Sequence, residues 1–335
     1  MELFQLIAAA SVPDAIQAQA RSATAQNGAD VRFIAGGTNL VDSMKLNVER
    51  PKQIVDINGL PLDRIEPVSG GGLKIGALAR NSDVAHHDAV KAQYPVLSQA
   101  ILSGASTQLR NMATTAGNLL QKTRCVYFRD TASPCNKREP GTGCSAIGGY
   151  NRMLAILGAS EHCIATNPSD QNVALMALGA TVHIEGTKGS RAVPITEFYL
   201  LPGTTPQRET VLEPGDLVTH VTIPALPDGA KSLYLKLRDR ASYEFALASA
   251  AVVIKQNSSG RIDYARLAMG GVGTRPWRCT DAEKILLGKP ATITTFRAAA
   301  EAALHGAKPQ SQNGFKVELA KRCVVHALTQ ASKLA

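Results

Sequence analysis

Apolar positions along this chain recur at two different spacings, so strand and helix signals are interleaved throughout. The N-terminal ten residues read as a short strand. They are followed by Ser11-Val12-Pro13-Asp14, a cap with proline in the first turn of an Ala-rich helix. Strands are predicted at Val31–Ala35, ending on Gly36-Gly37, and at Gln53–Ile57 and Leu73–Ala77. Asn81–Gln93 reads as a helix with Ser82 as its N-cap, and Pro95–Ser103 as a second helix. Ser169-Asp170 caps a helix running to Leu178, and the strands Thr181–Glu185 and Leu217–Ile223 follow.

Pro224-Ala225-Leu226-Pro227-Asp228-Gly229 is the clearest linker in the chain. Beyond it come strands at Ser232–Arg238, Phe245–Lys255 and Arg261–Met269, with Ser258-Ser259-Gly260 as a hairpin turn. Helices at Thr280–Leu287, Ile293–His305 and Gly314–Ser332 close the sequence. The pattern predicts an α+β protein: a large mixed lobe to about residue 228 and a smaller lobe of antiparallel strands backed by helices.

Composition narrows the function. The chain has 335 residues, is 44% hydrophobic and carries a net charge of +9, with its basic residues dispersed rather than blocked. Aromatics make up only 4%, which argues against a platform that stacks nucleic-acid bases. That charge also suits an anionic cofactor or an acidic partner. No apolar run approaches the roughly 18–20 residues of a membrane span. The N-terminus lacks the positive flank of a signal peptide, so the chain carries no address of its own.

Three segments carry candidate chemistry. In Phe33-Ile34-Ala35-Gly36-Gly37-Thr38-Asn39-Leu40 an apolar strand runs into paired glycines. Such a turn lets backbone approach a ligand and gathers N–H groups around an anion such as a pyrophosphate, although a plain turn has the same local signature. It is not the G-x-G-x-x-G of a dinucleotide fold, and Gly270-Gly271-Val272-Gly273, followed by Thr274-Arg275-Pro276, reads as a hairpin or bulge. In the second segment, Gln108 to Leu119, small and hydroxyl residues surround Gly117 and are suited to ribityl or phosphate oxygens, or to an ordinary polar loop.

The third is a cysteine-bearing loop. Four of six cysteines, Cys125, Cys135, Cys144 and Cys163, fall in a Gly-, Pro- and Asn-rich stretch with little regular structure of its own. They can organise it around an iron–sulfur cluster or zinc, or as two disulfides. The long irregular spacings disfavour a zinc ribbon, and nothing in the sequence argues for an oxidising compartment. Lys122, Arg124, Arg129, Lys137, Arg138 and Arg152 outnumber Asp130, Glu139 and Glu161, an excess that favours a dianionic [4Fe-4S] centre. The residues therefore rank cluster above zinc above disulfides. Cys279 and Cys323 read as buried inert thiols, the seven histidines form no H-x-x-x-H pair, and no G-x-S-x-G elbow marks a nucleophile, so no catalytic residue is assigned.

The order of A-G-G-T-N-L, Q-L-R-N-x-A-T-T-A-G-N, a cysteine insertion, Ala165-Thr166-Asn167-Pro168-Ser169-Asp170, Pro214-Gly215-Asp216-Leu217-Val218 and Tyr234-Leu235-Lys236-Leu237-Arg238-Asp239-Arg240-Ala241-Ser242-Tyr243 resembles the FAD subunit of the xanthine dehydrogenase family of molybdenum hydroxylases. The resemblance spans essentially the whole chain. Most such subunits lack the four cysteines. The words around them here are most similar to the bacterial periplasmic aldehyde oxidoreductases, with 4-hydroxybenzoyl-CoA reductase as the alternative branch and a stand-alone flavin oxidase or a zinc-stapled interaction subunit as readings outside it.

The resemblance implies a two-subdomain FAD-binding lobe of the vanillyl-alcohol-oxidase (PCMH) type over 1–228, with subdomains of about 1–58 and 59–228 and a cluster loop at 121–164. A smaller α+β domain of the CO dehydrogenase flavoprotein type follows over 229–335. It also implies that Arg32, Phe33, Ile34, Ala35, Gly36, Gly37, Thr38, Asn39 and Leu40 wrap the FAD pyrophosphate. Thr114, Thr115, Gly117 and Asn118 join the same site, Asp170 bonds a cofactor hydroxyl, and Val218 and Lys236 lie near the flavin. Cys125, Cys135, Cys144 and Cys163 would ligate a [4Fe-4S] cluster. The implied partners are a large molybdenum-cofactor subunit that oxidises an aldehyde to a carboxylic acid, a small subunit with two [2Fe-2S] clusters, and an external electron acceptor. Co-export to the periplasm with a partner and a cytoplasmic site are both open.

Overall fold

The computed structural model describes residues 1–334 and builds them on three sheets. The first contains β1 (Gln5–Ala8), β2 (Val31–Ile34) and β3 (Gln53–Asp56), with β3 in the middle and parallel to both neighbours. The helix Val12–Gln19 crosses from β1 to β2, and Ser11 caps it by accepting from the Asp14 amide at 3.2 Å. It buries Ala15 and Ile16 against Val31, Val55 and Leu217.

The second sheet contains β4 (Ile65–Pro67), β5 (Leu73–Gly76), β6 (Thr181–Gly186), β7 (Gly189–Pro194) and β8 (Leu217–Ile223). Its order is β4-β5-β8-β6-β7, antiparallel throughout. Its inner face packs on the helices Pro95–Ser103 and Asp170–Leu178. The second of these is buried along its whole length, capped by Ser169, and ended by Gly179 in the left-handed conformation (φ +68°) that favours glycine.

The third sheet, β9 (Lys231–Leu237), β10 (Ala248–Gln256), β11 (Ile262–Gly270) and β12 (Trp277–Arg278), is antiparallel in the order β12-β11-β10-β9. The strand β10 is buried on both faces. One side meets the first large core, and the other meets the helices Thr280–Leu286, Ile293–Ala303 and Phe315–Lys333. Gly270 to Pro276 form the reverse connection from β11 to β12, as the glycines and proline there suggested. Among the described residues, no helix is long and apolar enough to cross a membrane.

The structure corrects two local expectations. Asn81–Gln93 is two helices, Asn81–His86 and Asp88–Gln93, broken at an extended His87. Val84, Ala85 and Val90 are all buried. In one unbroken helix Val90 would sit roughly 120° around the axis from Val84 at 100° per residue, so the break turns it inward. Ser82 is not the cap: the helix starts from Arg80, where tertiary pairing with Thr114 and an Asn81 N–H bond to the Ala113 carbonyl (2.8 Å) replace a side-chain cap.

One buried cation holds the cysteine loop to the C-terminal helix. Lys316 is fully buried, and its ammonium donates to the carbonyls of Leu154 (2.9 Å), Met153 (3.2 Å) and Gly271. Asn313 donates to Asn151 and Leu154 beside it. Burial, with Arg152 nearby, pulls the Lys316 pKa down to about 7. The unfolded chain keeps this proton until the ordinary lysine value of 10.5, so between about 7 and 10.5 the unfolded state binds more protons and stability rises with pH. Thermal melts of wild type and Lys316→Met at pH 7 and pH 9.5 check this. The wild type should gain stability relative to the variant at the higher pH, and parallel shifts of the two would refute it.

Candidate functional site

Two adjoining cavities of about 410 and 150 Å³ run between the three sheets. They share Thr38, Asn39, Ala113 and Gly117, so together they form one extended cleft. The strand β2 delivers Arg32, Phe33 and Ile34 to its smaller end, where Ala35, Gly36, Gly37 and Leu40 continue the wall. Gly36 is where two chain segments touch. A Cβ there would lie 1.8 Å from the carbonyl oxygen of Met112, so only glycine lets the first loop meet the second. Gly37 follows with a positive φ of +72°, and its carbonyl accepts from Val41 to start the helix Leu40–Lys45.

The second loop enters with Thr114 as cap of the short helix Thr115–Leu119, its hydroxyl accepting from the Gly117 amide at 3.2 Å. Asn118 faces the larger cavity and accepts from the Ser169 hydroxyl at 2.6 Å. Thr115 lines neither cavity; it is buried with its hydroxyl committed to the Ala79 carbonyl, so it holds the turn from behind. Val218, from β8, lines the smaller cavity.

The third sheet supplies the far wall of the larger cavity. Lys236 on β9 donates to Asp170 Oδ2 at 2.8 Å and to the Ser103 carbonyl at 3.0 Å. Tyr234, two residues earlier on the same strand face, donates its hydroxyl to Asp170 Oδ1 at 2.5 Å. All three are nearly inaccessible, and burial next to the Asp170 carboxylate raises the Tyr234 pKa well above its ordinary value, which keeps the phenol a donor. Asp170 is thus fixed by two donors and faces the cleft from a rigid helix start.

The polar groups around the cleft are not all used by the protein. Asn39, Asn81, Gln171 and Arg124 line the larger cavity, and each carries a buried side-chain atom (Nδ2, Oδ1, Oε1 and Nε) with no protein partner. Buried polar groups are paired in folded proteins, so these four fit the hydroxyls and phosphates of a bound dinucleotide. Arg32, bonded to the Ala25 and Gln26 carbonyls, and the Arg124/Arg129 pair on Asp42 add positive charge around it. Tyr234, Asn81, Gln171 and Asp42 escaped the sequence reading because nothing local distinguishes them from ordinary polar positions; only tertiary packing brings them to the cleft.

The cysteine loop folds beside this cleft. Cys135 and Cys144 face each other across a small antiparallel bridge, tied by the Asn136 N–H to the Gly143 carbonyl at 2.7 Å. Cys125 precedes the short helix Val126–Arg129, and Cys163 pairs in a bridge with Ser160. All four are free thiols lining one small cavity of about 10 Å³, with no carboxylate among its lining residues. Burial pushes Cys125 up to about 11 and also raises Cys163. Among the described residues, no three His, Cys, Asp or Glu side chains converge tightly enough to hold a single metal ion. Cys279 and Cys323 are buried in the C-terminal core, where burial raises both thiols, Cys323 to about 12.

The fold is that of an FAD-binding subunit of the molybdenum hydroxylases. Residues 2–226 match the family model for the FAD binding domain in molybdopterin dehydrogenase, and 233–331 match that for the CO dehydrogenase flavoprotein C-terminal domain; the chain belongs to this family. It is similar to the aldehyde oxidoreductase FAD-binding subunit PaoB of Escherichia coli, with 50% identity covering 92% of this chain and 93% of that one. The glyceraldehyde dehydrogenase medium chain of Sulfolobus acidocaldarius is 32% identical over 78% of this chain and 74% of its own. Among solved structures, a chain of the carbon monoxide dehydrogenase of Hydrogenophaga pseudoflava superposes with a TM-score of 0.77 at 26% identity, covering 100% of this chain and 99% of that one. FAD binding comes with the family. An iron–sulfur centre in this chain does not, since the family's clusters sit in the small subunit.

Gly36→Ala should strip the flavin, because the added methyl must push apart the two loops that meet at Met112. Flavin per chain after gel filtration should fall to a small fraction of wild type with circular dichroism unchanged. Full flavin retention would show that the contact at residue 36 does not shape the site.

Proposed function

We propose that the chain is the FAD subunit of an aldehyde oxidoreductase and that its cysteine loop holds a [4Fe-4S] cluster, a departure from the family's general pattern. The aldehyde is oxidised to a carboxylic acid at a molybdenum cofactor in a large partner subunit, and a small subunit with two [2Fe-2S] clusters lies between. The 50% identity to an aldehyde oxidoreductase FAD-binding subunit, sustained over nine-tenths of both chains, is the observation that carries the aldehyde reading. We divide the chain at residue 228, with subdomains of about 1–58 and 59–228 enclosing the cleft and 229–335 closing it.

Bound FAD would take up electrons arriving singly, in two steps, and pass them to an external acceptor. The protein's part is to bind, orient and shield. Arg32 to Leu40 wrap the pyrophosphate with backbone N–H groups, and Thr114, Gly117 and Asn118 meet it from the second loop. Asp170, fixed by Tyr234 and Lys236, accepts from a cofactor hydroxyl, and Val218 packs along the cofactor. None of these residues takes a proton from substrate, because the substrate reacts in another subunit.

The donor set of the cysteine loop fits a cluster better than zinc. Four soft thiols without a hard oxygen donor surround one cavity, yet do not converge on a single point. Iron in the cluster would replace the protons that burial now keeps on Cys125 and Cys163, and would add a one-electron centre to the chain. Iron, sulfide, zinc and flavin counts on the purified complex test the proposal. About eight irons and one FAD per complex are expected, falling to about four irons in Cys135→Ser with flavin retained, since two [2Fe-2S] clusters contribute about four. Four irons with stoichiometric zinc in the wild type would make the loop a structural zinc site.

A further inference from the structure

Between the flavin cleft and the cysteine cavity lies a buried ionic bridge that neither site accounts for. Glu209, on the segment leading into β8, receives Lys122 Nζ on Oε2 at 2.5 Å and Lys137 Nζ on Oε1 at 3.0 Å. Both lysine side chains are 10% exposed and that of Glu209 is 23% exposed, so the bridge is mostly but not wholly shielded from water. Lys137 also donates to the Pro206 carbonyl, and Asn27 supports Glu209 Oε2 at 3.3 Å. Gln26 holds the Glu209 amide, and Arg32 in turn bonds the Gln26 carbonyl, so the bridge is continuous with the flavin wall. Burial opposes the Glu209 charge, but the two ammoniums overcome it and hold the carboxyl at about 2.

The two lysines end in different places. Lys122 lines the flavin cleft, and its amide donates to Asn39 Oδ1 in the Gly-Gly-Thr-Asn turn. Lys137 lines the cysteine cavity, two residues from Cys135. The bridge therefore carries one net positive charge between the flavin cleft and the cysteine cavity, and its partial burial means that salt screens it less than a surface pair. Each electron accepted at either site adds a negative charge, and a nearby positive charge favours that reduced state.

We propose that the Lys122–Glu209–Lys137 bridge is a positioning and charge-setting element that fixes the reduction potentials of the cysteine-bound centre and of the flavin together. This rests on the [4Fe-4S] reading of the cysteine loop. Removing the carboxylate charge exposes both ammoniums and raises both potentials. Removing one ammonium lowers them, Lys137 acting mainly on the cysteine-bound centre and Lys122 mainly on the flavin.

Anaerobic redox titrations of the whole complex, followed by electron paramagnetic resonance and visible absorption, test this on wild type, Glu209→Gln, Lys137→Gln and Lys122→Gln. Glu209→Gln should shift the cysteine-bound centre upward by about a tenfold change in its one-electron equilibrium, about 59 mV. Lys137→Gln should shift it downward by a similar amount, and combining Glu209→Gln with Lys137→Gln, which restores the net charge of +1, should return it close to wild type. A purely structural role would lower cofactor content without shifts of opposite sign. If variants with full iron and flavin keep wild-type potentials, the inference is overturned while the cluster reading stands. If the wild type holds only about four irons and no additional cluster signal, both fall. Should Glu209→Gln fail to assemble, the two lysine variants decide the matter by the sign and site of their shifts.

Discussion

The structure depends on one contact between backbones. At Gly36 the loop that leaves β2 meets the carbonyl of Met112, in a space that no side chain can share. This contact joins the parallel three-stranded sheet to the helices and loops of the five-stranded one, and the cleft is the volume left between them. The third sheet contributes a wall rather than a floor: Tyr234 and Lys236 reach from β9 to hold Asp170 at the start of a helix that is itself wholly buried. Three sheets thus bring backbone amides, the Asp170 carboxylate and unpaired amide groups to one cleft, with little side-chain freedom left to lose on binding.

The parts that were legible in the sequence are those whose chemistry is local. Ser169 and Gly179 bracket a helix because a hydroxyl cap and a left-handed stop are written into those residues. The strand running into Gly36-Gly37 was recognisable for the same reason, and the cysteine loop stood out by its composition. Asn81–Gln93 was misread because its break at His87 is imposed by what Val84 and Val90 must bury, which no local signal records. The edge strands β4 and β12 are only three and two residues long, and β7 starts on Gly189 and ends on Pro194, so pairing with a neighbour rather than local pattern defines all three. Within the site, Arg32–Leu40, Asp170 and Lys236 were placed by the order of motifs along the chain. Tyr234 and Glu209 were not, since a tyrosine in a strand and a glutamate in a loop become informative only once their partners are known.

Family membership carries FAD binding but no iron–sulfur centre in the 121–164 loop. That loop is anchored from three directions: by Lys316 of the C-terminal helix and Asn313 just before it, by Arg124 and Arg129 on Asp42, and by Lys122 and Lys137 on Glu209. So many polar ties, those of Lys316 fully buried, on a segment with almost no regular secondary structure give four soft thiols a defined enclosure beside the cleft. An insertion that served only as a surface decoration would not need a fully buried lysine and a doubly paired glutamate to hold it.

Anomalous diffraction from crystals of the intact complex, recorded on either side of the iron and zinc absorption edges, tests the central claim most directly. The account requires an iron signal enclosed by Cys125, Cys135, Cys144 and Cys163, together with flavin density in the cleft between Gly36 and Asp170. A zinc signal at those four residues, or sulfur–sulfur bonds with no metal, would contradict it and leave this chain a flavin subunit without a cluster of its own.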